Sequence, residues 1–213
     1  MTETPNNSLI PRSLFVFAVL YGGMTCIAGI LGSKQVALGP LAVEAGIFPF
    51  LLLVVLSSSV AELHGREVAN RLVRFGFIPL ITAIILIRIV LELPTDPGMY
   101  EPAKEAFPII LSQGSRLMFA GIIAYGVSQF LNVYIFSRLT AMKGGLIALR
   151  ASIASALSQV VDTLIFITIA FYGERPIGEL LVGQGTAKVV LSFVLVPFLI
   201  VFFVKLGKRL DTK

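Results

Sequence analysis

Six long apolar segments dominate the chain and restrict what it can fold into. They run roughly over residues 13–32, 46–63, 74–93, 115–137, 147–172 and 186–204. Each is close to the ~20 residues that a helix needs to cross ~30 Å of hydrocarbon. Only 14% of the 213 residues are charged and 56% are hydrophobic, whereas about 25% of the residues of a soluble domain are charged. We therefore predict an all-α polytopic membrane protein with six transmembrane helices, forming a single integral membrane domain over residues 1–213.

Charged residues in the connections predict the orientation of these helices. Arginine and lysine collect after segments two and four and in the tail, whereas aspartate and glutamate collect after segments three and five. Basic loops stay on the cytoplasmic side, so both termini are predicted to be cytoplasmic. The formal net charge of +5 then reflects topology and does not indicate a nucleic-acid partner. The first ten residues, MTETPNNSLI, do not resemble a cleavable signal peptide.

Two connections are expected to be irregular. Glycine, proline and Glu44 precede the second segment in VALGPLAVEAGIFPF. This predicts an irregular or re-entrant stretch around residues 36–46, which is tolerated only where protein or a water-filled cavity surrounds it. The longest connection, residues 94–114, contains prolines and glycines that argue against a regular helix throughout.

A short polar pattern occurs twice, thirty positions apart. SQFLNVYIF at residues 128–136 is matched by SQVVDTLIF at residues 158–166, on the neighbouring predicted helix of opposite direction. Asp162 is the only formally charged residue between Arg150 and Glu174. Residues three or four apart share a helix face, so each copy places its polar side chains on one face. Repeats in membrane proteins often flank a central binding site.

Four of these side chains, Gln129, Asn132, Gln159 and Asp162, lie near the middle of their spans. Exposing a central aspartate to lipid costs about 2.5–3.5 kcal/mol, so we expect all four to face the bundle interior or a wet cavity. One interpretation is hydrogen bonding between helices, at ~0.6 kcal/mol for each bond. We favour a substrate site for these four residues, because a buried carboxylate is costly where a hydroxyl would serve to join helices. Their amide and carboxylate groups suit a flat, neutral heterocycle with a lactam or amidine edge, or an amino group.

Other charged residues near the spans are candidates for gating or substrate contact: Lys34, Glu62, Arg150 and Lys188. Lys188 is expected at the outer end of the sixth helix, where it would either snorkel towards water or line a vestibule. His64 lies at the inner end of the second helix, where it would serve a proton-coupled step or an interfacial role.

Enzyme chemistry has little support in the sequence. The chain has no GxxxxGK[ST] loop for binding ATP. Its single histidine and single cysteine exclude a metal cluster built from these residue types. No cofactor is expected.

The paired runs SQFLNVYIFSRL (128–139) and IASALSQVVDTLIFITIAFYG (153–173) resemble the vitamin uptake transporter family, and within it the queuosine precursor transporters of bacterial inner membranes. GILGSKQVALG (29–39), SSSVAELHG (57–65) and AKVVLSFVLVPF (187–198) fit the same pattern in order, so the resemblance covers nearly the whole chain. The chain departs from that pattern at Gly29, Ser58, His64 and Asn132, and these departures leave the identity of the substrate open.

The resemblance implies a six-helix importer of 7-deazaguanines, such as 7-cyano-7-deazaguanine, 7-aminomethyl-7-deazaguanine or queuine. Its partners would be this small purine-like substrate and the lipid bilayer. One alternative is a substrate-binding membrane subunit of an ATP-driven vitamin uptake complex. Others are an importer of a different purine-like or vitamin substrate, and a structural or assembly protein. The sequence leaves open the driving force and whether the chain forms a homo-oligomer.

Overall fold

The computed structural model describes residues 10–38, 41–112, 115–141, 146–173 and 176–212. The elements in this part of the chain are α1 (Arg12–Gly32), β1 (Gln35–Leu38), β2 (Leu41–Glu44), α2 (Ile47–His64), α3 (Arg66–Glu92), α4 (Glu101–Leu111), α5 (Ser115–Ala141), α6 (Ile147–Phe171) and α7 (Gly178–Asp211). Six of these helices are long and apolar enough to cross a membrane. The predicted all-α polytopic architecture with six membrane helices is therefore confirmed.

The helix ends differ from the predicted segments where a helix outlasts its apolar stretch. Helices α1, α2 and α6 begin and end within one residue of the prediction. Helix α3 instead begins eight residues early, directly after Gly65, whose φ of 86° favours glycine at the turn out of α2. Helix α7 has 34 residues and extends beyond the apolar segment at both ends. The length of an apolar segment therefore predicts that a helix can cross the membrane, but it does not predict the full length of that helix.

The two connections expected to be irregular contain regular structure. Strands β1 and β2 pair antiparallel, with Gln35 opposite Glu44, so the stretch around 36–46 is mostly a β-hairpin. Residues 39 and 40 lie outside the described part of the chain. Helix α4, which the sequence analysis did not predict, lies within the connection 94–114. Proline is tolerated in the first turn of a helix, and Pro102 occupies that place.

Helix α2 forms the centre of the bundle. It packs against α1, α3, α5, α6 and α7, and its buried residues run from Ile47 to Val60. Three consecutive serines, Ser57, Ser58 and Ser59, are fully buried in this helix. The middle of the bundle is therefore polar, although most of its surroundings are apolar.

The two chain ends meet at one end of the bundle. The Ser13 backbone N–H donates to Oδ1 of Asp211 at 2.9 Å, which joins the start of α1 to the end of α7. We call this the terminal end. The opposite end carries β1, β2 and α4, and we call it the hairpin end. Six crossings place both termini at the same end, as the charge pattern requires.

The close approach of α3 to α1 and α5 depends on glycine at position 76. A Cβ atom there would lie 2.7 Å from the Tyr21 ring and would overlap the Tyr125 hydroxyl. We expect Gly76→Ala to destabilise the protein by about 1–3 kcal/mol through overpacking, measured as a lower Tm in detergent. Gly23→Ala is the matched control, since a Cβ atom there meets no described atom within 4 Å. Equal Tm values for the two variants would contradict this account of the packing.

Candidate functional site

A cavity of about 490 Å³ lies in the hairpin half of the bundle. All seven helices and β2 contribute to its walls, and its volume lies within the ~300–1,000 Å³ of pockets that bind small molecules. Its lining residues farthest from the hairpin end on α2, α5 and α6 are Leu53, Tyr125 and Asp162. These three residues form what we call the inner end of the cavity.

The cavity walls are mostly apolar, with charge at a few positions. Among the described residues, three charged side chains line it: Glu44, Asp162 and Lys188. Oε1 of Glu44 accepts a hydrogen bond from Gln184 Nε2 at 3.3 Å, which ties the hairpin to α7. A few charged groups in an otherwise apolar cavity would fix the orientation of a bound molecule.

An ion pair between α6 and α7 lies at the inner end of the cavity. Lys188 Nζ lies 3.0 Å from Asp162 Oδ2, and Ser128 Oγ donates to Asp162 Oδ1 at 3.1 Å. The Asp162 side chain is 8% exposed and that of Lys188 is 13% exposed. Each carboxylate oxygen thus has a partner, and the charge of Asp162 is balanced within the protein. Desolvating two charges is expensive and is repaid only by close pairing and further hydrogen bonds.

Lys188 lies deeper in the bundle than the sequence analysis expected. The apolar segment begins near residue 186, which suggested that Lys188 marks the helix end. Because α7 begins at Gly178, Lys188 is instead almost three turns into the helix, at 3.6 residues per turn. Of the two expected roles, its position agrees with lining a cavity rather than with snorkelling from a helix end.

The three predicted amide residues lie beneath the cavity and do not line it. Gln129, Asn132 and Gln159 are fully buried. Asn132 Nδ2 donates to the Val54 carbonyl at 3.2 Å, and also to the hydroxyls of two α2 serines, Ser57 and Ser58, at 3.1 Å each. The sequence analysis placed these three amides and Asp162 in one site. In the structure, only Asp162 lines the cavity, and the three amides lie beneath it.

The register between α5 and α6 explains this division. The sequence repeat equates Ser128 with Ser158 and Asn132 with Asp162. In the antiparallel pair, however, Ser128 contacts Asp162 directly. Equivalent positions of the two copies therefore do not meet. Asp162 lines the cavity, whereas Asn132 contacts α2.

Two tyrosines that the sequence analysis missed connect the cavity wall to the amides. Tyr125 lines the cavity and donates from its hydroxyl to Tyr21 Oη at 3.0 Å. Tyr21 donates in turn to Gln129 Oε1 at 3.3 Å. A signal was present in the sequence, because Tyr125 is one helical turn before Ser128 and shares the polar face of α5.

Two of the remaining candidates, Glu62 and Arg150, pair at the terminal end. Arg150 Nη2 lies 3.4 Å from Glu62 Oε1, which links α6 to α2, and the guanidinium lies over the Phe136 ring, 5.5 Å from its centroid. Neither residue lines the cavity. Lys34 is exposed at the start of the hairpin. It is not one of the described residues that line the cavity.

His64 joins three helices at the terminal end. Its Nε2 lies 2.7 Å from Ser13 Oγ, and the same hydroxyl donates to Asp211 Oδ2 at 2.6 Å. These contacts connect α2 to the start of α1 and to the end of α7. Together with the Glu62–Arg150 pair, they join α1, α2, α6 and α7 at the terminal end.

A multi-pass membrane protein with a cavity of small-molecule size is the class of protein that this fold and site define. Ionisable residues within membrane helices are rare and mark substrate or ion pathways. Residues 44–202 match the family described as "putative vitamin uptake transporter". The chain belongs to this family. The matched range includes Asp162 and Lys188.

One relative carries a more specific name. The chain is 27% identical over 185 residues to the "Probable queuosine precursor transporter" of Bacillus subtilis (strain 168), and the match covers 84% of this chain and 80% of that protein. No solved structure matches the chain.

The buried ion pair makes a prediction about stability. Lys188→Met leaves the Asp162 carboxylate buried without its partner, which costs about 3–5 kcal/mol for such pairs. The double variant Asp162→Asn, Lys188→Met removes both charges and should recover most of this loss. Thermal unfolding of the three proteins in detergent measures the difference. A double variant less stable than Lys188→Met alone would contradict the pairing.

Proposed function

We propose that the protein imports a queuosine precursor across the bacterial inner membrane. The substrate would be a 7-deazaguanine such as 7-cyano-7-deazaguanine, 7-aminomethyl-7-deazaguanine or queuine. The observation that carries the proposal is the Asp162–Lys188 pair at the inner end of the 490 Å³ cavity. Membership of the vitamin uptake transporter family and the printed name of the B. subtilis relative support this substrate class.

The chemistry of the pair suits one edge of a guanine-like base. A carboxylate accepts two N–H bonds, so Asp162 matches the ring N1–H and the exocyclic amine. The ammonium of Lys188 donates and never accepts, so it matches the adjacent carbonyl oxygen. Lys188 already binds Asp162 at 3.0 Å. A bound base would therefore separate the two groups and replace their mutual contact with contacts to itself.

The walls of the cavity suit the flat faces of such a base. Phe50, Phe166 and Tyr125 line it, and aromatic rings stack on planar heterocycles in offset or edge-on arrangements. Lys188 Nζ lies 5.9 Å from the centroid of the Phe50 ring, so an aromatic surface and the charged pair lie side by side. A planar ligand bound there would contact both.

The two ends of the bundle support a direction of transport. The cavity lies at the hairpin end, and the charge pattern of the loops predicts that this end faces away from the cytoplasm. The terminal end is held by Glu62–Arg150 and by Ser13, His64 and Asp211. In an importer this would be the conformation that loads substrate. Glu62 and Arg150 then serve as a gate, and Lys34 contacts substrate near the entrance.

Uptake by cells tests the central role of Asp162. Asp162→Ala removes the group that accepts both N–H donors, each charge-assisted bond being worth about 1.5–3 kcal/mol. We expect uptake of radiolabelled 7-aminomethyl-7-deazaguanine to fall about tenfold or more. Ser158→Ala, on the same helix, is the control, since among the described residues the Ser158 hydroxyl bonds only within its own helix, to the Ser155 carbonyl. Normal uptake by an Asp162→Ala protein of normal membrane abundance would refute the proposal.

Reconstitution separates this proposal from the ATP-driven alternative. The purified protein in liposomes, without any other subunit, should accumulate or equilibrate the labelled base. Liposomes that contain Asp162→Ala should not. Uptake in cells without uptake in liposomes would instead favour a substrate-binding subunit that depends on an external motor.

A further inference from the structure

Three amide side chains beneath the cavity retain unused hydrogen-bonding capacity. Gln129, Asn132 and Gln159 are each 0% exposed. Among the described residues, no hydrogen-bond partner exists for Gln129 Nε2, for Asn132 Oδ1, or for either polar atom of Gln159. Leaving a buried polar atom without a partner costs free energy. We call these three residues the amide layer.

The orientation of Asn132 follows from one of its partners. The Val54 carbonyl can only accept, so the Asn132 atom 3.2 Å from it must be the donor Nδ2. The oxygen Oδ1 of Asn132 therefore points elsewhere and remains an acceptor without a partner. Gln129 Oε1 accepts from Tyr21 and from Ser57, which leaves Nε2 of Gln129 as a donor without a partner.

The free donor and the free acceptor lie on the same helix face. Gln129 and Asn132 are three residues apart on α5, or about 4.5 Å along the helix axis. Gln159 is likewise three residues from Asp162 on α6, on the side away from the hairpin end. The contact between Ser128 and Asp162 holds these two helices in register at this level. The amide layer therefore begins about one helical turn below the inner end of the cavity.

We propose that the amide layer is a second binding site, which holds a planar base by its lactam edge on the way from the cavity to the terminal end. Gln129 Nε2 donates to the lactam carbonyl, and Asn132 Oδ1 accepts from the neighbouring ring N–H. The Gln159 side chain offers its amide N–H and its amide carbonyl to the remaining polar groups of the base. This inference rests on the proposed transport function and adds a site that does not line the cavity.

Hydrogen bonding between helices accounts for one polar atom each of Gln129 and Asn132, but not for Gln159. The Ser155–Ser192 pair, with its two hydroxyl oxygens 2.9 Å apart, shows how α6 and α7 are joined by a satisfied contact. Gln159 is one turn away from Ser155 on the same helix, but its side chain makes no hydrogen bond to any described residue. A leucine of similar size at position 159 would serve packing better, so an amide there has a use outside the packing of the helices.

The experiment compares Gln159→Leu with Ser155→Ala. We measure Tm, binding of 7-aminomethyl-7-deazaguanine to the purified protein, and its uptake into liposomes. For Gln159→Leu we expect an equal or higher Tm, binding within about twofold of wild type, and a maximal uptake rate lower by about tenfold, equivalent to one lost hydrogen bond. For Ser155→Ala we expect a lower Tm and an unchanged rate for each folded molecule.

Each other outcome would refute the second site, either alone or together with the transport proposal. Wild-type uptake by Gln159→Leu refutes the second site and leaves the transport proposal standing. Loss of binding and uptake together assigns Gln159 to the cavity and refutes a separate site. Absence of uptake by the wild-type protein refutes the transport proposal and the second site with it. If Gln159→Leu does not fold, Gln159→Met is tested with the same expectations.

A second arm tests the ligand chemistry with unlabelled competitors. 7-Deazaguanine presents a lactam edge, whereas its 6-O-methyl derivative lacks the ring N1–H and carries an ether in place of the carbonyl. In the wild-type protein, we expect the first compound to inhibit uptake by half at a concentration at least tenfold lower than the second. Equal inhibition by the two compounds would refute recognition of the lactam.

Discussion

The ion pair between Asp162 and Lys188 is the interaction on which the rest of this structure depends. Its two charges lie 3.0 Å apart inside a bundle of membrane helices, where each alone would be costly. The pair joins α6 to α7, and Ser128 adds α5 through the second carboxylate oxygen. Removing one charge would therefore disturb three helices at once. The same pair is the polar feature at the inner end of the cavity, so under the proposed function stability and recognition would depend on the same atoms.

The central helix α2 provides a polar layer beneath this pair. Its run of buried serines gives the bundle a polar centre, and Asn132 on α5 bonds to two of them. Helix α3 buries only residues in its first half, from Ala69 to Gly76. Its second half, from Leu80 to Ile87, forms part of the cavity wall together with residues of α1 and α5. Tight packing at the terminal end and open space at the hairpin end thus arise from the same set of helices.

The sequence predicted the membrane helices because a backbone within lipid must satisfy its own hydrogen bonds. Scarcity of polar residues was enough to identify Asp162 and the amides as buried. The depth of Lys188 in the bundle was harder to predict, because the apolar segment begins about eight residues after the start of α7. The contacts of Ser128 and Asn132 depend on the register of antiparallel helices, which a sequence repeat does not contain. Tyr125 shares the polar face of α5, but its contact with Tyr21 joins distant parts of the chain and could not be predicted from the sequence.

The Glu62–Arg150 and Asp162–Lys188 pairs differ in how exposed they are to water. This difference bears on how transport would be coupled to binding. The Glu62 side chain in the terminal pair is 25% exposed, at a distance of 3.4 Å from Arg150, so water can replace its partner when that end opens. Asp162 is 8% exposed, and separation from Lys188 would leave its charge in an apolar cavity. A polar guest that replaces both contacts removes this penalty. Under the proposed function, a bound base would therefore favour rearrangement of the cavity, whereas the empty protein would keep its pair intact.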